Sequence, residues 1–485
     1  MSAFGILSCS AYIPRKRMSR AAIFDAVGWA QPSLKGLVKG ARAFGAWDED
    51  AITMAVAAAR NTIKSAPKTE PTALCFASTT APFLDRQNAG VVAAALDLSS
   101  RTHVFDVAGS QRAATSALIR FNETRSGAPL LAAADRRRAK SASTMEMLSG
   151  DAGAALLLGE GEPIAEIVGV SSIYADLVDH YRTAQSETDY VLEERWYRDE
   201  GVSKLATKAA GSVLKNANLT GSDIKHLIAP FSNSQLARTV AKQLEIASGA
   251  IADSLFYSCG HAGAAHPILM LANVLAHAKP DEWILLTVFG QGCDTILLRT
   301  TQAIADANRT ELRQTIQSNG QIEENYTRFL SSYGAIDIDW GLRAERDNRT
   351  AQTVAYNKSR DLYGFVGGLC YQCDTPQFPK SRRCVNPECN ALDTQRDHRF
   401  ADLNATVKSF TEDWLAFTRE PPLIYGNVSF EGGGNVFMEM TGFRSGDIAI
   451  GAPVEMTFRI KDIDAARGFH RYFWKATPVV GGAHG

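Results

Sequence analysis

Phe105-Asp106-Val107-Ala108-Gly109-Ser110-Gln111-Arg112-Ala113-Ala114-Thr115-Ser116-Ala117-Leu118 is the stretch on which the fold turns. It reads as the end of a strand, a glycine-bearing turn, and the start of a buried helix of small residues. Arg112 sits inside that helix start. A charged side chain among small apolar residues needs a carboxylate or phosphate partner. Gln111 beside it is a neutral amide, which cannot be acylated.

Around this turn the first 300 residues alternate strand-like and helix-like segments, which predicts an α/β architecture. Leu74 to Ser78, Leu130 to Asp135 and Ala154 to Leu158 read as buried strands, with an alanine-rich helix over Ala89 to Leu98. A second series follows in the same order. It has a helix over Lys204 to Asn216, a strand over Ile224 to Ala229 and a helix over Ser234 to Ile246. A further helix over Ala264 to Ala278 and a strand over Trp283 to Val288 complete it. Gln302 to Glu324 is polar and helical, and Tyr326 to Leu369 is Arg/Asp-rich. Ala405 to Trp474 reads as short alternating strands with Gly turns, a length that suits a small β-barrel.

The chain has 485 residues, enough for two or three domains. Its net charge of −1 argues against nucleic-acid or membrane-surface binding by bulk electrostatics. No apolar run reaches the roughly 18–20 residues of a membrane span. Met1 to Arg17 lacks the order of a signal peptide, so a cytoplasmic location is expected.

Eight cysteines divide into two groups. Cys9, Cys75, Cys259 and Cys293 lie in apolar segments and read as reduced core residues. Cys370, Cys373, Cys384 and Cys389 form two pairs separated by ten residues. Paired thiolates on facing turns suit tetrahedral zinc in a closed, structural site. Iron in a rubredoxin-like site uses the same ligands.

The turn at Asp106–Gln111 resembles the nucleophile elbow of the thiolase superfamily, where Cys stands five residues after Asp; here that count lands on Gln111. Trp47-Asp48-Glu49-Asp50, Ser149-Gly150-Asp151-Ala152-Gly153, Gly260-His261-Ala262-Gly263 and Phe289-Gly290-Gln291-Gly292 carry the likeness further. They resemble stretches of hydroxymethylglutaryl-CoA synthase and the initiating ketoacyl synthases. The cysteine pairs and the barrel after them resemble the zinc-ribbon/OB-fold module found beside thiolase-like enzymes. The likeness implies a thiolase fold of two related α-β-α halves followed by a ribbon and a barrel. It gives residues 1–165 and 166–300 as the halves and 301–355 as a helical arm. Residues 356–395 are then the zinc ribbon and 396–485 the OB-fold.

The departures bear on function. Ser78-Thr79-Thr80 stands where the synthase has its acid. Ile228 or Phe231 stands at its catalytic His, and His261 replaces the family Asn. The resemblance therefore implies an acyl-CoA enzyme, a homodimer through the thiolase part, that works on a C–C bond next to a thioester without an acyl-cysteine. Gln111 and His261 are its expected catalytic pair. Asp85, Ser110 and Cys259 are further candidates, although Asp85 also suits a helix cap and His266 a helix start. Arg112 and Arg136 are expected to meet CoA. Decarboxylation of a malonyl-type thioester, as in starter-unit ketosynthases with Gln at this position, is one alternative. A non-catalytic subunit of a thiolase complex is another.

Overall fold

Ala3–Tyr12 (β1) is an apolar strand buried on both faces, and it forms the middle of a nine-stranded sheet. The architecture is seen in a computed structural model that describes residues 3–318, 320–349 and 351–479. The chain divides into two compact units. The first comprises Met1–Ala46, Asp50–Gly90 and Ser99–Phe329, and the second Trp47–Glu49, Val91–Leu98 and Leu330–Gly485.

The other strands of the large sheet are β2 (Ala73–Ala77), β3 (His103–Val107), β4 (Pro129–Asp135), β5 (Ala152–Gly161) and β6 (Ala165–Tyr174). β7 (Ile224–Ile228), β8 (Trp283–Phe289) and β9 (Gly292–Thr300) complete it. Their order is β7-β8-β9-β6-β1-β5-β4-β2-β3. On one side β3, β2 and β4 run parallel and β5 turns antiparallel. On the other, β7 and β8 run parallel and β9 turns antiparallel. Parallel strands need both faces covered, which is why β4 reads as an unbroken apolar run and is buried throughout.

Three helices do most of the covering. α1 (Ala51–Lys64) packs on β1, β4 and β5. Asp50 starts it with a capping box: its carboxylate accepts from Thr53 N at 2.9 Å, and its own N–H donates to Thr53 Oγ1 at 2.9 Å. Gly153 lets α1 approach closely, since a Cβ there would lie 2.6 Å from Met54 O. α2 (Ala113–Thr124) packs on β2 and β4 and against α3 (His266–His277), a helix buried on nearly all sides. The small residues read from the sequence are what allow α2 to lie this deep.

The sequence reading and the structure part in two places. Gln302 to Glu324 is not one helical segment: it holds short helices at Ala303–Asp306 and Thr310–Gln317 and a strand at Gln321–Glu323. That strand pairs in parallel with Lys16–Ser19, and Gly320, at φ +62°, sits at its entry. The central strand β1 carried no flanking turn signal and was not anticipated.

In the second unit, Val366–Cys370 pairs with Pro376–Gln377 and Gln395–Arg399. A closed five-stranded barrel follows, in the order Ala405–Asp413, Leu423–Phe430, Asn435–Met440, Phe469–Pro478, Pro453–Asp464. Leu423–Phe430 alternates strictly between buried and half-buried positions, as a barrel wall requires. Trp474 and Phe458 fill the interior, and Trp474 Nε1 donates to Tyr363 O at 2.6 Å. Lys475 is buried against Asp48 (2.9 Å) and Glu439 (3.1 Å), so its charge is paired twice. No helix among the described residues is long and apolar enough to cross a membrane.

Candidate active site and four-cysteine cluster

The turn from β3 into α2 is fixed by its polar groups. Asp106 accepts from the N–H groups of Asn88 (2.8 Å) and Ala89 (2.7 Å), so it caps the helix Asn88–Ala95. Asp85, the residue suited to that role by sequence, is exposed and lies before the helix. Gly109 takes φ +89°. Ser110 Oγ then donates to Gly290 O at 2.8 Å.

Arg112 finds its partner in Asp294, a fully buried carboxylate 2.6 Å away. Its Nε and Nη2 donate to Gly290 O (2.8 Å) and Gln291 O (3.2 Å). Asp294 also accepts from Thr115 (2.9 Å), Ser116 (2.7 Å) and Ser172 (2.7 Å). The helix start and the Phe289–Gly292 turn are thereby pinned together. Gly290 leaves no room for a side chain, since a Cβ would lie 2.9 Å from Ser110 Oγ. Its own N–H is used on Gly292 O at 2.9 Å.

A second buried carboxylate, Asp135 at the end of β4, organises the opposite wall. It accepts from Ser78 Oγ (2.9 Å), Thr79 N (2.7 Å), Thr79 Oγ1 (2.8 Å), Thr80 Oγ1 (2.9 Å) and Ala264 N (2.7 Å). The Ser78-Thr79-Thr80 stretch thus serves an acid instead of supplying one. Arg137 donates to Thr79 Oγ1 at 3.1 Å. Arg136 donates to Gly45 O at 3.3 Å, stands 4.0 Å from Asp151, and is 15% exposed.

His261 lies beside this wall, with both ring nitrogens engaged. Nε2 faces Pro230 O at 3.0 Å, and a carbonyl can only accept, so Nε2 carries the proton. Nδ1 accepts from Gly263 N at 3.2 Å. Burial pushes the imidazole down to about 4, helped by the charges of Arg137 and His180. The His266 ring lies 4.5 Å from it, tilted by 37°, and is also pushed down by burial. Ile228 and Phe231 are buried apolar residues.

The sequence reading missed His180. It lies on a short hairpin, His180–Tyr181 against Tyr190–Val191. Its Nδ1 is 2.8 Å from Asp179 Oδ2, and its Nε2 is 3.1 Å from Gln111 Nε2. The carboxylate accepts and the amide nitrogen donates, so Nδ1 carries the proton and the Nε2 lone pair faces Gln111. His180 and Asp179 are 17% and 18% exposed. The hairpin is held by Arg137 to Asp189, Arg138 to Glu187 and Arg182 to the Thr79 carbonyl. An acid next to a histidine, in a stretch without apolar periodicity, was the one signal available.

The four cysteines outside the cluster are buried. Burial raises the thiols of Cys9 and Cys75 to about 12 and those of Cys259 and Cys293 to about 11.

Comparison with known proteins bears on this frame. Residues 214–298 match the family model 3-Oxoacyl-[acyl-carrier-protein (ACP)] synthase III C terminal. The hydroxymethylglutaryl-CoA synthase of Archaeoglobus fulgidus is 27% identical over 317 residues, covering 63% of this chain and 91% of that protein. That of Aeropyrum pernix is 27% identical over 318 residues, covering 63% and 87%. Among solved structures, an HMG-CoA synthase complexed with CoA superposes with a TM-score of 0.59 at 15% identity, covering 72% and 95%. The 3-oxoacyl-(acyl carrier protein) synthase III of Pseudomonas aeruginosa does so with 0.55 at 20%, covering 62% and 98%. The first unit has the thiolase fold. Its sequence is similar to those of hydroxymethylglutaryl-CoA synthases and, over residues 214–298, to the C-terminal part of ketoacyl synthase III.

After the thiolase-like domain comes the cluster of Cys370, Cys373, Cys384 and Cys389, whose Sγ atoms all lie within 4.8 Å of one another. Two of the pairs are 3.5 Å (Cys373–Cys384) and 3.8 Å (Cys370–Cys389) apart. A tetrahedron of sulfurs about 2.3 Å from a central ion has edges of about 3.8 Å. The four residues could hold a metal, and four sulfurs would fill a tetrahedral coordination sphere.

Proposed function

We propose that the chain is a thiolase-like acyl-CoA enzyme that makes or breaks a C–C bond next to a thioester carbonyl without forming an acyl-cysteine. The observation that carries this reading is the state of its thiols. Every cysteine of the thiolase-like domain is buried and raised to about 11 or 12, so none is a thiolate near neutral pH. In this reading Gln111 stands where the relatives carry their nucleophile, five residues after Asp106. A retro-aldol cleavage needs a stabilised enolate and a base, and a retro-Claisen cleavage needs in addition water or free CoA to take the released acyl group. The carboxamide of Gln111 supplies the donor for the enolate oxygen.

The base expected from sequence, His261, has both ring nitrogens held by main-chain groups, and its imidazole is already lowered to about 4. We therefore give it a structural role. Arg112 is spent on Asp294, and Arg136 stands against Gly45 O and Asp151, so both residues expected at CoA are engaged within the protein. For the cluster, zinc in a structural site fits the sulfur geometry, with iron as the competing ion; metal analysis distinguishes them.

The test is release of acetyl- or propionyl-CoA from β-hydroxy- and β-keto-acyl-CoA. Turnover should survive iodoacetamide, and intact mass should show no acyl adduct. Loss of turnover on thiol blocking, with the metal retained, would overturn the reading. Carbon dioxide released from malonyl-CoA alone would support decarboxylation instead. Activity seen only with a partner chain would support a non-catalytic subunit.

A further inference from the structure

We propose that Asp179 and His180 form the proton-transfer centre of this site, with Nε2 of His180 as the atom that accepts the proton. The inference rests on the acyl-CoA reading for its substrate, but its geometry stands by itself. Three observations carry it. Asp179 Oδ2 lies 2.8 Å from Nδ1 and fixes the tautomer and the ring. Nε2 then accepts from the amide of Gln111, 3.1 Å away, a side-chain partner that a substrate hydroxyl would displace. The pair is partly exposed; of the other two histidines of this region, His266 is buried and His261, only partly buried, is held at both nitrogens by main-chain groups.

The arrangement has the order of a catalytic triad, carboxylate to imidazole to a third residue, with an amide in place of the nucleophile. The hairpin that carries it is tied down. Arg137 and Asp189 form an ion pair with both side chains almost fully buried, and Arg182 reaches the Thr79 carbonyl. Ionisable groups bear on the dyad from neighbouring elements. His261 shares a charge interaction with His180, and the Asp179 carboxylate helps burial raise the hydroxyl of Tyr197.

For a β-hydroxyacyl-CoA the step balances as follows. Nε2 takes the proton of the β-hydroxyl. The electron pair left on oxygen forms the second Cβ–O bond of a carbonyl as the Cα–Cβ bond breaks. Its electron pair moves into the thioester, whose oxygen becomes an enolate held by the Gln111 amide. The imidazolium then returns the proton to Cα, giving acetyl-CoA or its homologue and a free aldehyde or ketone. No oxidant, reductant or covalent intermediate is needed.

Two measurements test it. The first needs no turnover. Gln111→Cys puts a thiol beside Nε2, and mass spectrometry of the peptide holding position 111 follows its alkylation by iodoacetamide. With the dyad as base, this thiol should react roughly 10-fold or more faster at pH 7 than in Gln111→Cys/His180→Ala. Gln111→Cys/Asp179→Asn should also be slower. Equal rates in all three proteins, each with an unchanged melting curve, would overturn the dyad.

The second is turnover. His180→Ala should lower kcat by roughly 100-fold or more, and Asp179→Asn should lower it while moving the acidic limb of the pH profile. Wild-type turnover indifferent to His180 would overturn the dyad and leave the proposed function standing. If no acyl-CoA tested is turned over, the proposed function fails and the alkylation rates alone decide the dyad.

Discussion

His180 and His261 belong to the same site region, and each has both ring nitrogens engaged, but by different partners. His261, partly buried, has one nitrogen on Pro230 O and the other on Gly263 N–H, both main-chain groups. His180, partly exposed, is oriented by Asp179 and accepts from the side chain of Gln111. A histidine that replaces a family residue draws attention in the sequence. Whether its partners are fixed main chain or a movable side chain, and not position in a motif, separates the two imidazoles.

The comparison breaks most readily at His180. His180→Ala is expected to lose roughly 100-fold or more in kcat, about 2.7 kcal/mol of barrier, with stability little changed. His261→Ala should do the reverse. It leaves a buried carbonyl and a buried N–H without partners, and thermal or urea melts should show a loss of about 2–4 kcal/mol. If the stability losses exchange places, the two roles have been assigned the wrong way round.

A pH titration sharpens the contrast. His261 is lowered from 6.5 to about 4 in the folded chain, chiefly by burial. Between those values the unfolded chain binds a proton that the folded chain refuses. The contribution is therefore whole above pH 6.5 and falls as pH drops towards 4, by about 3 kcal/mol in all. His261→Asn should remove one proton's worth of that slope in urea melts at graded pH. His266 will still contribute, since it is lowered by burial too. An unchanged slope would mean that His261 titrates normally.

The smallest expected effect on either histidine comes from the metal cluster. Chelation, or Cys373→Ser, should unfold the ribbon, whose short strands have little core of their own. Circular dichroism should show the thiolase-like domain still melting cooperatively. Loss of that transition would mean that the domain needs the ribbon to fold.

Much of the frame was legible because its signals are local. β4 announces itself as an unbroken apolar run, and the cysteine pairs by their spacing. The need of Arg112 for a carboxylate was legible too, but its identity was not, because Asp294 is 182 residues away in the chain. The hairpin escaped for the same reason. Its strands are two residues long, its residues are polar, and its anchor is an ion pair between Arg137 and Asp189. Thr80 was read as a missing acid. Asp135, with five donors converging on it, is where the negative charge of that wall resides.

The attachment of that hairpin has an evolutionary consequence. The proposed proton-transfer pair sits on a hairpin joined to the frame by ion pairs and one carbonyl, and not within the nine-stranded sheet or the helices that cover it. Such a hairpin can be exchanged without repacking the apolar core when its replacement supplies a carboxylate for the buried Arg137. Chemistry carried on such a segment can change while the core stays as it is, and a graft of residues 176–192 onto a relative would show how portable it is.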